Sequence, residues 1–449
     1  MARDMTKGNP LKLIFFFAIP VLLGNLFQQF YSIVDTLIVG RILGEDSLAA
    51  VGSSGAIVFL VLGFAFGITQ GFGVIIARVY GAKKFEELKK SVANSFILTI
   101  LASIILTLVF VDQSTNLLKL MNTPANIIDE ADIYIKTIYY GIIATMFYNA
   151  TASILRGIGD SKTPLYFLIF SSFLNIALDL LFIIQFKLGV QGAALATVLS
   201  QGISAIIAIS YMFKKYEFLR PELKYFKVDI QVCAKLLEVG ISMAINYSVI
   251  AIGVMFLQSG VNQFGSSAVA AFTAATKLEN LATQAMPALG AGIATFSAQN
   301  LGAKQYDRIF EGVKTSVFMG IIVSLFSIAI YVLFTKSIVR LFIPDITSES
   351  MVYATKYLYT CSYFTIFLQF VFIFRNVLQS IGNQIIPVIS GVLELLARFI
   401  VIYYFLDSIG YMAVALAEPI AWVFAALINI VFYYSWQKNI QNTILNQKL

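Results

Sequence analysis

The chain has 449 residues, of which 59% are hydrophobic and only 12% charged, and its mean hydropathy is +0.84. A soluble protein of this size carries about a quarter charged residues, so a water-soluble globular domain is excluded. The net charge of +7 comes with no histidine and only two cysteines, Cys233 and Cys361. A disulfide framework and a metal site are therefore not implied. Nor is a bound cofactor, and nothing in the charge pattern calls for nucleic acid.

Apolar runs long enough to cross a ~30 Å hydrocarbon core recur from end to end. The spacing predicts twelve helical spans, at about 13–39, 50–77, 92–111, 133–154, 164–186, 190–213, 236–262, 268–296, 313–335, 352–376, 385–406 and 411–435. The first run follows a basic segment. It is too long for the apolar region of a signal peptide and lacks a small-residue cleavage pattern, so it reads as retained. The longest connection, Lys214 to Lys235, is charged and divides six spans from six. The expected domains are thus an N-lobe, 1–220, and a C-lobe, 221–449.

Lysine and arginine in loops set orientation. They crowd the segment after span 2 (Arg78, Lys83, Lys84, Lys89, Lys90) and the central connection (Lys214, Lys215, Arg220, Lys224, Lys227, Lys235). The other side has scattered cases: Arg41, Lys119, Lys187, Lys336 and Arg340. Both termini are expected on the cytoplasmic side of the inner membrane.

The halves repeat. GAKKFEELKK at Gly81 matches GAKQYDRIFE at Gly302, LGEDSLAAV at Leu43 matches FGSSAVAAF at Phe264, and LGVQGAALA at Leu188 matches IGYMAVALA at Ile409. All three share an offset of 221, and LRGIGDSKTP at Leu155 matches LQSIGNQIIP at Leu378 with an offset of 223. Four matches in one order argue for duplication. Because six is even, the halves are parallel repeats related by a pseudo-two-fold axis along the membrane normal. The expected fold is an all-α integral membrane protein, two six-helix lobes of a transporter with a cavity between them.

Span 1 contains the first chemical signal. Asp35 lies six residues before Arg41, about 9 Å along a helix at 1.5 Å per residue. Span 5 carries Asn175 and Asp179 four apart, on one face. Asp179 sits about 12 Å and, on span 6, Thr197 about 10 Å from the same membrane surface. Gln28 and Tyr31 precede Asp35 by seven and four residues and share its face. An embedded carboxylate is costly and marks an ion or substrate pathway. The alternative is that these groups only tie helices together, as asparagine and threonine often do. For two aspartates with no basic partner at that depth, a mobile cation is the better match.

The C-lobe differs. At the repeat offset Asp35 becomes Phe256, and Asp179 becomes Ile400 or Ile402. Glu394 and Arg398, four apart on span 11, read first as an internal ion pair. Glu418 matches Thr197, and Glu279 follows Lys277 by two residues and can be neutralised there. Any of these can line a pathway, but no two carboxylates are expected at one depth. The acidic pocket is expected in the N-lobe alone.

At Arg156, RGIGDSKTP admits two readings. Arg156 and Asp160 pair, or contact the other lobe, as an inner gate; or the segment is a glycine-rich turn with a helix-starting Pro164. Pro20 in span 1 is either a hinge or a static kink.

These segments together resemble the multidrug and toxic compound extrusion (MATE) transporters of the bacterial DinF-like branch. The resemblance covers nearly the whole chain. It rests on IPVLLGNLFQQFYSIVDTLIVG, ARVYGAKK, LRGIGDSKTP, NIALD and SAQNLGAKQYDRI in that order. It implies export of organic cations by an antiporter driven by H⁺ or Na⁺, acting as a monomer in the lipid bilayer. It also implies that Asp35 and Asp179 are the N-lobe acids, with Asn175 and Thr197 beside them and Gln28, Tyr31 and Asn149 lining the site. If sodium is the coupling ion, Asp35 and Asp179 are its ligands. One departure is plain: some members carry a carboxylate on span 7 and another on span 10, forming a C-lobe cation site, whereas here span 7 reads GISMAINYSVIAIGVMFLQ from Gly240 and span 10 has none either.

A membrane enzyme acting on lipids would need surface acid–base, nucleophile or metal groups, and none is seen. A flippase of lipid or lipid-linked sugar is the nearer alternative. It would line its cavity with several arginines, and only Arg398 falls well inside a span.

Overall fold

The computed structural model describes residues 2–121, 123–342 and 348–446. Fourteen α-helices make up the described residues: α1 Pro10–Leu43, α2 Glu45–Gly81, α3 Phe85–Leu120, α4 Ile128–Tyr140, α5 Ile142–Gly157, α6 Lys162–Leu180, α7 Gly189–Lys215, α8 Ile230–Asn262, α9 Gly265–Thr283, α10 Ala285–Gly302, α11 Tyr306–Phe342, α12 Ser348–Ile381, α13 Ile385–Ile409 and α14 Tyr411–Asn446. No strand occurs among them. Ten of the helices are long and apolar enough to cross a membrane. That outcome follows from solvent: lipid offers backbone N–H and C=O groups no partner, so helices that bond internally are required.

One bent helix pair, α4 with α5, brings the candidate spans to eleven, and the expected eighth span is divided into α9 and α10, each break with a local reason. The fourth breaks at Gly141, where α4 and α5 meet at 49°. A Cβ at Gly141 would lie 2.2 Å from a methyl of Val198 on α7, so only glycine admits that neighbour. The eighth breaks at Gln284, between α9 and α10. Pro287 follows, and its ring opposes the carbonyl four residues back while its nitrogen donates nothing. The two halves break at different spans, which the repeat alone does not anticipate. By contrast α1 runs through Pro20 without interruption, and α1 turns into α2 at the single residue Gly44, whose φ of +95° suits glycine.

The helices form two compact units. One comprises Met1–Asp4 and Leu23–Ser248, the other Met5–Leu22 and Val249–Leu449. In the first unit α2 and the start of α8 approach backbone to backbone. A Cβ at Gly67 would lie 2.4 Å from the Ala244 Cα, and one at Gly71 would lie 2.4 Å from the Gly240 Cα. Small residues at four-residue spacing permit this closeness where lipid removes any hydrophobic drive.

The connection between α7 and α8 is pinned rather than loose. Lys90 pairs with Asp229, Lys89 lies 3.7 Å from Glu222, and Tyr225 bonds to Glu86. The Asp229 amide donates to Asn94 Oδ1 at 2.9 Å. The second unit has its own apolar core, built on buried Tyr331, Tyr357 and Trp422.

Gly71→Val should cost about 1–3 kcal/mol, the usual range for inserting bulk into a packed core. A thermal melt of the purified variant tests this, and an unchanged midpoint would show that the α2–α8 approach can relax.

Candidate functional site

The first unit gathers the expected polar groups from three helices. Asn175 Nδ2 donates to Thr197 Oγ1 at 3.3 Å, and Thr197 Oγ1 donates to the Ala193 carbonyl at 3.2 Å. Asp35 on α1 and Asp179 on α6 lie close enough to act on each other's charge. Asp179 is fully buried and Asn175 nearly so. Neither oxygen of Asp179 has a hydrogen-bond partner, and Asp35 Oδ1 and Asn175 Oδ1 also lack one. Tyr31 stands beside Thr197 and both aspartates.

The helices explain the convergence. Tyr31 and Asp35 are four apart on α1, and Asn175 and Asp179 four apart on α6, so each helix presents two groups on one face. Directly after Asp179, α6 widens into a π-helical stretch, Leu181–Gln185. Such local widening is frequent at functional sites because it re-aims neighbouring side chains.

One member of the site was not foreseen. Tyr134 on α4 lies near Asp35, Tyr31 and Asp179. The sequence limit placed the start of this span at residue 133, which left Tyr134 at the membrane surface. The helix starts at Ile128, so Tyr134 lies six residues along it, about 9 Å from its first turn. Two expected residues stand apart: Gln28 is exposed and Asn149 half-buried, and neither bonds to the aspartates among the described residues.

Chemically, two adjacent carboxylates cannot both stay ionised cheaply. Two like charges 4 Å apart repel by about 4 kcal/mol at an effective dielectric of 20. With four orphaned oxygens and no ion pair among the described residues, the pair is suited to hold a proton or a cation.

The expected pairing of Arg156 with Asp160 is not formed. Arg156 Nη2 reaches Gln70 Oε1 at 3.4 Å and Ser153 Oγ at 3.2 Å. Asp160 instead accepts from the Thr163 amide (3.1 Å), Thr163 Oγ1 (2.7 Å) and the Tyr216 hydroxyl (2.6 Å), with Lys215 Nζ at 3.7 Å. Asp160 thus secures the start of α6, and Pro164 lies in its first turn, as the turn reading describes.

The expectation of a single acidic pocket also needs correction. In the second unit Tyr357 OH lies 2.8 Å from Glu279 Oε2 and 3.1 Å from Glu418 Oε2. Two carboxylates therefore do meet, brought together from α9 and α14. Glu279 turns to Tyr357 and Glu418, an arrangement set by helix rotation rather than by its neighbour Lys277 in sequence. Glu394 lies 3.8 Å from Arg398, as its spacing suggested, but its nearer partner is Arg375. Arg375 was overlooked because the sequence limit put it at the edge of span 10; α12 continues to Ile381 and buries it.

Helices of this kind, arranged in two units with a partnerless acidic pair in one of them, define a polytopic membrane transporter. The profile of the MatE family matches residues 20–181 and 239–404. The chain is 31% identical over 326 residues to the probable multidrug resistance protein YoeA of Bacillus subtilis, covering 71% of this chain and 70% of that one. It is 29% identical over 436 residues to the probable multidrug resistance protein YpnP of the same organism, covering 96% of both. A solved multidrug resistance MATE family transporter of the MOP superfamily, in an outward-facing conformation, shares the fold with a TM-score of 0.89. That comparison covers 98% of this chain and 99% of the other, at 23% identity. The chain belongs to the MatE family and is a secondary transporter, not an enzyme.

Asp160 offers a test of the local chemistry. Burial alone would raise its carboxyl; hydrogen bonds from Tyr216 and Thr163 outweigh burial and hold it below the usual carboxylate range. At neutral pH Asp160→Asn should cost roughly 1.5–3 kcal/mol, the range for hydrogen bonds to a charged group. Because the folded value lies below the unfolded one, the stabilisation is full above about pH 3.9 and fades as pH falls through the folded value. Melting curves of wild type and variant should therefore converge in strong acid. A gap that stays constant from neutral to acid pH would remove the charge from the argument.

Proposed function

We propose that the chain is a cation-coupled antiporter that exports small organic cations across the cytoplasmic membrane by alternating access. The observation that carries this reading is the Asp35–Asp179 pair: Asp179 buried, Asp35 half-buried beside it, and neither with a cationic partner among the described residues. A travelling cation supplies the missing charge. Tyr31, Tyr134, Asn175 and Thr197 complete the site. Tyrosine faces suit flat organic cations, which are drawn to the ring quadrupole.

In this reading the lobes are residues 1–220 and 221–449, both termini are cytoplasmic, and the protein works as a monomer. The proton is the primary coupling ion, since span 7 beyond Gly240 and span 10 offer no carboxylate for sodium. Sodium is the competing ion, with Asp35 and Asp179 as its ligands. A flippase for lipid or lipid-linked sugar is less well supported. The buried arginines Arg375 and Arg398 are turned to Glu394 and Glu418, leaving them poorly placed for phosphate.

The test is transport in proteoliposomes, with a proton gradient in one set and a sodium gradient in another. Asp35→Asn and Asp179→Asn should each reduce movement of an ethidium-like dye to the level of protein-free vesicles. Both variants should remain folded and monodisperse. Acidifying the side that receives the dye should speed wild-type transport until the carboxylates stay protonated in both orientations. Normal transport by either variant would remove that residue from the mechanism. Strict dependence on sodium would transfer coupling to that ion. Movement of phosphorylated lipid without dye would favour the flippase.

A further inference from the structure

The second unit contains a polar network that the proposed export chemistry does not use. Glu279 comes from α9, Tyr357 and Arg375 from α12, Glu394 and Arg398 from α13, and Glu418 from α14. Glu279, Glu394, Arg375 and Arg398 are all buried, and Tyr357 fully so. Arg375 bonds to Glu394, and Arg398 Nη2 lies 3.8 Å from Glu394 and 4.0 Å from Glu418. Three carboxylates thus face two guanidinium groups. With every group ionised, one negative charge is uncompensated, and a buried charge without a partner is strongly destabilising.

Hydrogen-bond geometry reaches the same shortfall independently. A phenol has one proton to donate. Tyr357 OH is nevertheless within hydrogen-bond distance of both Glu279 Oε2 and Glu418 Oε2. Both contacts are hydrogen bonds only when one carboxyl is itself protonated and donates to the phenol oxygen. A single proton closes both the charge balance and the bonding.

A third observation marks the place as one that changes state. The Tyr331 hydroxyl on α11 is fully buried and has no hydrogen-bond partner. It lies near Glu279, Glu418 and the Cys361 thiol, and Tyr411 borders Cys361. Arg398 Nε and Nη1 also lack partners. Buried donors left idle are rare in native structures. Here they are available to whichever carboxylate loses its proton.

We propose that Glu279, Tyr357 and Glu418 form a second proton-exchange site, in which two glutamates share one proton through the phenol. On release the proton passes to a water molecule, and Tyr331 and Arg398 serve the carboxylate left behind. Reloading is the reverse. Arg398, so close to Glu418, disfavours a metal cation here, and the described residues hold no cluster of three or more metal-ligating acidic, cysteine or histidine side chains. The internal repeat supports the assignment. The offset of 223 that aligns Leu155 with Leu378 pairs Tyr134 with Tyr357 and Asn175 with Arg398, and the offset of 221 pairs Thr197 with Glu418. Three members of the network, Tyr357, Arg398 and Glu418, thus stand where Tyr134, Asn175 and Thr197 stand in the first unit, while Glu279 has no counterpart in that site. It stands whichever ion Asp35 and Asp179 carry.

Infrared difference spectroscopy of the full-length protein in lipid nanodiscs tests this without any transport assay. In the Asp35→Asn/Asp179→Asn background, a protonated-carboxyl C=O band should remain, shift in D₂O and vanish at high pH. Adding Glu279→Gln or Glu418→Gln should abolish the band in either case, because each leaves the network neutral without a proton. Arg398→Gln acts in the opposite sense and should add a second protonated carboxyl, which keeps the proposal testable if a glutamine variant fails to fold. Absence of the band in the parent, or its survival in both glutamine variants, would overturn the proposal. So would its loss on adding sodium at constant pH, which would make the site a metal-cation site.

Discussion

Charge balance in a medium without water is the constraint on which the rest of this structure depends. In water an extra carboxylate is nearly free; in hydrocarbon it needs a proton, a counter-ion or a set of donors. Each unit answers that demand internally. The second answers with arginine, setting Arg375 and Arg398 against three glutamates. The first supplies no arginine to Asp35 and Asp179, and that omission gives the pair its capacity to accept something mobile.

Packing has to serve this chemistry. A polar group can sit deep in a bundle only if helices come close enough to exclude lipid from it. Gly67, Gly71 and Gly240 allow α2 and α8 to touch backbones, and Gly141 admits Val198 where the fourth span bends. That bend lies seven residues, about two turns, after Tyr134 on α4. Helix breaks and small residues are therefore part of how the site is placed, and not defects in otherwise regular spans.

The sequence carried the first-unit site to a large extent. Spacing along a single helix is fixed by 3.6-residue geometry, so Tyr31 with Asp35 and Asn175 with Asp179 could be read directly. Alternation of span direction also put the end of α6 beside the start of α7, and the bond between Asn175 and Thr197 agrees with it. What could not be read was rotation between helices. Glu279 and Glu418 come from α9 and α14, and no periodicity states that their faces meet. Tyr134 and Arg375 were missed for a related reason. Hydropathy locates where lipid contact ends, whereas α4 and α12 run beyond those limits, and a few residues of error move a side chain from the interior to the surface. Asp160 was legible as a turn residue but not as the acceptor for Tyr216, which lies 56 positions away.

Duplication explains how one frame came to hold two different charge states. The contact between Asn175 and Thr197 in the first unit recurs as the contact between Arg398 and Glu418 in the second. The positions are preserved and the residue types are exchanged. Where a neutral amide meets a hydroxyl, no charge is contributed, so Asp35 and Asp179 face a deficit of up to two positive charges. Where arginine meets glutamate, the local charges cancel and the surrounding network is short by one. A deficit of two with open tyrosine faces suits a bulky organic cation or several protons. A deficit of one, closed in by Tyr331, Tyr357 and an arginine, suits a single proton and nothing larger. The shared positions thus frame a permissive site and a restrictive one, and the difference lies both in which helices carry the acids and in whether the repeat placed an amide, Asn175, or a guanidinium, Arg398, among them.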